Sequence, residues 1–419
     1  MRPIRSALAG AFSAMSHRNY RIYWAGEIFS LVGTWVQSIA QSWLVLELTG
    51  SPFRLGLVAT IQFLPMMLFS LYAGTLVDRF RKRSILIATQ TILMILALIL
   101  GLLTLFQVVE FWHILILALF FGLANTIDVP ARQSFFIELV GREDFMNAVA
   151  LNSGISNLSR ILGPAVGGLL IGLVGIAPCF LINSASYIPV LITLFLIRPN
   201  TLSSQIRKKA QSLKKTYMGI LQGLRYIRRR ENLFLSILLL AFTSTFTMNF
   251  NVMIPIFAQE NLGQGATGYG FLLTGMALGS LTGSLILALR SKHHPTLRGI
   301  LLGALGMSLT LSALGLTATY ATAFLLLFAT GLSATLFTAL INTTLQLGSG
   351  DYIRGRVVSV YSLVLGGLTP IGAFYAGNVM EYWGAGACMV LSGLIGAGAT
   401  AYVWWKGKKG GRPSETVIQ

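Results

Sequence analysis

Twelve runs of roughly twenty or more predominantly apolar residues follow one another along this chain, and no soluble core could bury them all. They lie near Tyr20–Leu48, Leu55–Val77, Ile85–Phe106, Ile114–Leu139, Ala148–Val174 and Cys179–Ile197. After an interruption come Leu233–Ala258, Gly268–Leu289, Leu297–Leu316, Ala321–Leu345, Val357–Met380 and Ala387–Trp405. Each is long enough to cross the ~30 Å hydrocarbon core of a bilayer as a helix. A balance of 54% hydrophobic against 11% charged residues, with a mean hydropathy of +0.73, excludes a soluble globular class. Cys179 and Cys388 both fall inside apolar runs and read as packing residues, neither a disulfide nor a metal site. The polar opening of the chain carries no short apolar segment with a small-residue cleavage site, so no removable signal peptide is expected.

Twelve spans put both termini on one side, and Lys and Arg decide which side that is. Of the 31 basic residues, only Arg54, Arg132 and Arg160 lie away from the side that holds the termini. The opposite loops hold Glu47, Glu110, Glu260 and Glu381. The basic side is expected to be cytoplasmic, in a bacterial inner membrane. The net charge of +18 is thereby a topology signal and implies no nucleic-acid partner. The expected organisation is a cytoplasmic arm 1–19, a six-helix half 20–197, a basic linker 198–232, a second half 233–405 and a tail 406–419. Within the linker, Tyr217, Ile220, Leu221, Leu224 and Ile227 recur along one side of a basic helix. Such a helix is expected to lie on the anionic inner leaflet, with a regulatory partner as the alternative occupant.

Charges inside the spans are costly in lipid and point to function. The fourth and fifth spans form a hairpin whose turn is centred near Asp144. Asp128 and Arg160 stand equally far from that centre, so they lie level on neighbouring helices, and Arg132 follows Asp128 by one helical turn. The arrangement predicts a salt bridge from Asp128 to Arg160 or Arg132. It serves either as a proton-responsive ion-pair network or as a permanent structural pair. Glu27 in the first span is a second proton site.

The uncharged polar residues follow a rule of three. The first span carries Thr34, Gln37 and Gln41, the fourth Asn125, the seventh Thr247 and Asn251 with Asn249 nearby, and the tenth Thr338, Asn342 and Gln346. Spans three, six, nine and twelve read as almost uniformly apolar or small. The four wetter spans are expected to face a shared substrate cavity; the alternative is that their amides hold helices together. The segments after the fourth and tenth spans also match, each reaching a proline at the same distance, Pro164 and Pro370. The expected fold is an all-α integral membrane protein of twelve transmembrane helices, in two six-helix pseudo-repeats around a central cavity.

Glycines recur every fourth residue at Gly163 and Gly167, beside Gly168, and at Gly275, Gly279 and Gly283. These strips are expected to let the fifth and eighth spans pack closely and seal the outer side.

Between the second and third spans stands Gly74-Thr-Leu76-Val-Asp78-Arg79-Phe-Arg81-Lys82-Arg83, which resembles the signature loop of the major facilitator superfamily, with Arg81 at the place of its second glycine. Gly163-Pro164-Ala-Val-Gly167-Gly168 is similar to the motif associated with exporters of that superfamily. The run Asp128-Val-Pro130-Ala-Arg132-Gln133 with Asn147-Ala148 and Asn152 resembles the enterobactin-exporter and macrolide-efflux-like branch. The resemblance implies a cytoplasmic gate at Gly74, Asp78, Arg79 and Arg83. Asp78 is expected near the start of the eleventh span, around Gly355–Ser359, where the helix dipole favours an anion.

No phosphate-binding loop is present, so ATP-driven transport by this chain is not expected, nor is an enzyme. The histidines His17, His113, His293 and His294 sit at membrane edges or in loops, and no metal site or cofactor is expected. The reading is a monomeric secondary transporter that exports a small organic molecule, siderophore or drug-like, by alternating access, as a proton antiporter. Import or flipping of lysophospholipids or other amphiphiles on the same fold stays open, as does a non-transporting membrane sensor.

Overall fold

The computed structural model describes residues 12–197, 213–290 and 295–409. The amino-terminal Arg2 and Arg5, the basic linker up to residue 212, His293-His294 and the tail from residue 410 lie outside them. Among the described residues the chain is helical and carries no strand. The first six spans are Arg18–Thr49, Pro52–Arg79, Lys82–Leu105, Phe111–Val140, Phe145–Val174 and Ile176–Leu196. A surface helix, Leu213–Arg228, precedes the second six. Spans eight, nine and ten are Ala266–Leu289, Leu297–Leu316 and Tyr320–Leu347.

Spans seven and eleven are broken. The seventh runs Glu231–Phe242, widens into a π turn at Thr243–Thr247 and resumes at Phe250–Glu260. The eleventh starts as Asp351–Gly367 and resumes at Thr369, beside Pro370, which has no N–H to continue the ladder. The helix from Thr369 reaches Lys409 with one interruption, Gly384 at φ 77°, which ends the eleventh span and begins the twelfth. Only glycine adopts that left-handed conformation without cost. Gly175, at φ 86°, is likewise the single residue between spans five and six.

Among the described residues ten segments are long and apolar enough to cross a membrane; one of them, Asp351–Lys408, holds both spans eleven and twelve. The first span is not among them, because Glu27, Thr34, Gln37 and Gln41 dilute its apolar residues. With it the count is twelve, in an all-α membrane fold.

The chain forms two compact units, and the cut runs through spans one and two. One unit is Met1–Gln41 with Phe69–Leu213; the other is Ser42–Leu68 with Lys214–Gln419. In the first unit, spans three and six pair, and span three also packs on span four. Its core gathers Tyr20, Tyr23, Leu86, Phe135, Phe136, Val190 and Leu194, all buried. Tyr23 meets the edge of Phe135 at a centroid distance of 5.5 Å, a favourable T-shaped geometry. In the second unit, spans eight and ten pair, and span nine packs on ten and twelve. The hairpin 42–68 belongs there through specific contacts. Gly56 lies against the backbone of Ala373 and Gly377, Thr60 donates to the Pro370 carbonyl at 3.1 Å, and Trp43 stacks on Tyr269.

Each glycine strip is covered by a span of its own unit, span one for span five and span ten for span eight. A Cβ at Gly163 or Gly167 would run into Trp35, Val36 and Ile39 of span one, within the first unit. At Gly275, Gly279 and Gly283 it would run into Phe324, Phe328 and Leu332 of span ten, within the second. Each strip lets a neighbour in its own unit approach; spacing alone shows a bare face and not which helix covers it.

The surface helix also departs from expectation. Ile227 is fully buried and Gly223 sits against the Arg356 backbone, while Tyr226 donates to the Gly348 carbonyl at 3.2 Å. Tyr217, Leu221 and Leu224 are exposed on another side. The apolar positions thus divide between docking on the second unit and facing outward.

Candidate functional site

Two buried acids of the first unit converge on one guanidinium. Asp128 and Arg132 share a face of span four because four residues make about one turn. Arg132 Nη2 donates to Asp128 Oδ2 at 2.7 Å, and its Nη1 pairs with Glu27 Oε1 of span one. Glu27 and Asp128 are each 1% exposed. Two carboxylates therefore share one cation inside the apolar depth of the protein. The other oxygen of Asp128 is occupied as well: Oδ1 accepts from Thr89 Oγ1 at 2.6 Å and from Gln90 Nε2 at 2.9 Å, both on span three. Pro130 lies between the two charged positions and removes one helix hydrogen bond there. A buried charge is tolerated when it is paired and its remaining lone pairs are satisfied, and Asp128 meets both conditions. Protonating either acid would leave Arg132 with one carboxylate partner.

Arg160 does not join it. It is exposed on span five, with its guanidinium 5.7 Å from the centre of the Trp35 ring. Equal depth fixes height along a hairpin but not direction around each helix, and the oxygens of Asp128 are already claimed by Thr89, Gln90 and Arg132.

Several of the polar residues expected to line a cavity are tied to neighbours or to their own helix. Gln37 is buried and accepts from Asn183 on span six; Thr247, fully buried, reaches the Ser392 carbonyl of span twelve at 3.5 Å. Thr34 and Thr338 each donate to the carbonyl four residues back, and Asn342 accepts from Gln346. Asn251 is exposed, and Asn125 and Gln41 are half-buried.

Thr89, Gln90, Asn183 and Tyr187 lie on spans three and six, so those spans are not the uniformly apolar elements expected of them. The signal was there as the Thr-Gln pair inside the apolar run Ile85–Leu93 and as a lone asparagine in span six. The break in span seven leaves no mark in the hydropathy of its run. Asn249 at the break donates to the Thr245 carbonyl at 2.7 Å, and Gly372 of span eleven packs against both residues. Discontinuous spans of this kind are where transporters place substrate and ion sites.

At the loop between spans two and three, Asp78 and Arg79 are exposed. Arg83 instead donates to the carbonyls of Leu194 and Phe195 at 2.6 and 3.2 Å, where a cation complements the carbonyl end of span six. A Cβ at Gly74 would meet nothing within 4 Å among the described residues.

The family model described as transmembrane secretion effector matches residues 9–404. Macrolide efflux protein A of Streptococcus pyogenes is 23% identical over 377 residues, covering 89% of this chain and 92% of that protein. The staphyloferrin A transporter of Staphylococcus aureus is 23% identical over 87% of this chain and 90% of its own length. The multidrug efflux pump Tap of Mycolicibacterium fortuitum is 23% identical over 86% and 89%. Among solved structures, a bacterial homologue of the lysosomal transporter Spinster, inward-facing and occupied, superposes with a TM-score of 0.74 at 16% identity, over 94% of this chain and 97% of that one. The nucleoside transporter NupG gives 0.76 at 10% identity, over 93% and 98%.

Proposed function

This chain belongs to the transmembrane secretion effector family of the major facilitator superfamily, and on that premise we propose that it exports a small organic molecule across the bacterial inner membrane by proton antiport. It is a membrane transporter and not an enzyme. The observation that carries the proton-coupled reading is Arg132 held between two buried acids, Glu27 and Asp128. A proton arriving at one acid weakens its hold on Arg132, and the two spans that carry Glu27 and Asp128 are then free to shift. That is the local charge change an alternating-access cycle needs, a two-state element biased by one titration. Thr89 and Gln90 hold Asp128 in place during the exchange, and their span moves with it. The energy comes from the proton gradient, with no cofactor. Both termini face the cytoplasm, where the basic loops lie. The relatives extend the candidate substrates to macrolide-like and siderophore-like compounds.

The test is flux in proteoliposomes with an imposed pH gradient and an internal pH dye, against a panel of macrolides, siderophores and lysolipids. Substrate must move against the proton flow and collapse the gradient as it does so. Flux that runs with the protons, or that is indifferent to the gradient, rejects the antiport reading.

A further inference from the structure

Arg160 is the intramembrane cation that the proton cluster leaves unused. It is sixteen residues into a span that runs Phe145–Val174, which places it roughly 22 Å from either end at 1.5 Å per residue. Among the described residues it has no ion pair, and the acids nearest the middle of the first unit's spans, Glu27 and Asp128, are both taken by Arg132.

Its surroundings on span five are amphipathic. Ser153, Asn157 and Arg160 are exposed at spacings of four and three, one polar stripe along the helix. Leu158, Leu162, Leu169 and Leu173 are exposed too, and at 100° per residue they occupy the opposite side. The leucine side suits lipid. The polar side therefore faces water, since a cation at such depth does not face hydrocarbon. Trp35, across on span one, supplies an aromatic platform at 5.7 Å, and Gly163 leaves room for it because any larger side chain would strike the Trp35 Cβ.

We propose that Arg160 and Trp35 form a recognition subsite for an organic anion, with the guanidinium fork taking a carboxylate and the indole flanking the apolar body. A planar fork matches a carboxylate bidentately, and the ring fixes its plane beforehand. The subsite deepens the transport reading and rests on it for its purpose, because it assigns the exported molecule a negative charge.

The experiment is calorimetric titration of the purified full chain, without any gradient, using benzoate, 2-naphthoate and 1-pyrenebutyrate, each against its uncharged amide. Wild type is expected to bind at least one carboxylate roughly 10- to 100-fold more tightly than its amide, the scale of one charge-assisted pair. Arg160→Gln should bring that ratio to within about twofold, while Arg160→Lys keeps the charge and part of the preference. Trp35→Phe should weaken acid and amide together. Equal affinity for acids and amides in wild type, binding of neither, or a preference that survives Arg160→Gln overturns the assignment. Should Arg160→Gln unfold early, an acid-to-amide ratio that Arg160→Lys leaves at its wild-type value, or a Trp35→Phe protein that binds acid and amide as tightly as wild type, overturns it. Because no gradient is used, failure of antiport in the liposome assay leaves this result standing, and the reverse holds as well.

Discussion

Nε2 of His17 lies 2.7 Å from Oδ2 of Asp144, a contact between the amino-terminal arm and the turn that joins spans four and five. Ala14 N donates to Asn147 Oδ1 at 3.0 Å, and just past the arm Tyr20 of span one donates to the Ala148 carbonyl at 2.8 Å, so three contacts hold this end of the chain to span five and its turn. Hydrogen bonds from Ser13 and His17 hold the Asp144 carboxyl below its ordinary value. A depressed carboxylate contributes stability that is present above its unfolded value and lost as pH falls through the lowered folded one. Amide exchange at residues 14–17, taken relative to the unprotected rate at the same pH, should therefore stay slow at neutral pH and quicken only below about pH 4. Asp144→Asn should quicken it at neutral pH as well. An arm that loosens on acidification in the Asp144→Asn protein but not in wild type would contradict this.

The three members of the buried cluster should differ in what their loss costs. Arg132→Leu strands two carboxylates and should destabilise by about 3–5 kcal/mol, as removal of one partner from a buried pair does. Asp128→Asn keeps the Glu27–Arg132 pair and should cost less than that. It should nonetheless abolish proton-driven flux. Thermal unfolding in detergent ranks the two, and dye-detected proton movement separates coupling from folding. Normal coupling in Asp128→Asn would move the proton site to Glu27.

Glycines with opposite surroundings give a paired control. A Cβ at Gly279 would strike the Phe328 backbone, whereas one at Gly74 would meet nothing within 4 Å. Gly279→Ala should cost about 1–3 kcal/mol through overpacking. Gly74→Ala should be neutral or stabilise by up to about 1 kcal/mol, since alanine is the better helix former. The same unfolding assay reads both, and a reversed order would refute the packing description.

Glu381 Oε2 accepts from Ser51 Oγ at 2.7 Å and from Phe53 N at 2.9 Å, so a carboxylate of span eleven caps the start of span two. Glu381→Gln should weaken this cap and cost about 0.5–2 kcal/mol in thermal unfolding. Ser51→Ala should cost a similar amount, and the double variant less than the sum of the two. Fully additive losses would show that the two side chains do not act together.

The spans were legible in the sequence because hydropathy is a local property and each run is long. The partners of the charged residues were less so. Counting from the turn at Asp144 put Asp128 level with Arg160, but a count along a hairpin carries no angle around either helix. The i, i+4 spacing from Asp128 to Arg132 does carry that angle, and the structure pairs those two. Thr89, Gln90 and Asn183 do not stand out in the sequence because one or two polar residues barely change the mean of a strongly apolar run. Their importance comes from facing Asp128 or Gln37, a relation between helices that no single run contains. The glycine strips show the same limit: Gly163 and Gly279 announce a close neighbour without naming it.

The cluster around Arg132 also bears on how the chain enters the bilayer. Its members sit on spans one, three and four, which leave the ribosome in that order. Presented alone, span four would carry Asp128 and Arg132 into lipid at a cost of about 2.5–3.5 kcal/mol for each charge at the centre of a helix. Glu27, Thr89 and Gln90 are synthesised earlier and can be waiting inside the membrane when that helix emerges. Synthesis order thus matches electrostatic need, and span four can be accepted before any of the last eight helices exists.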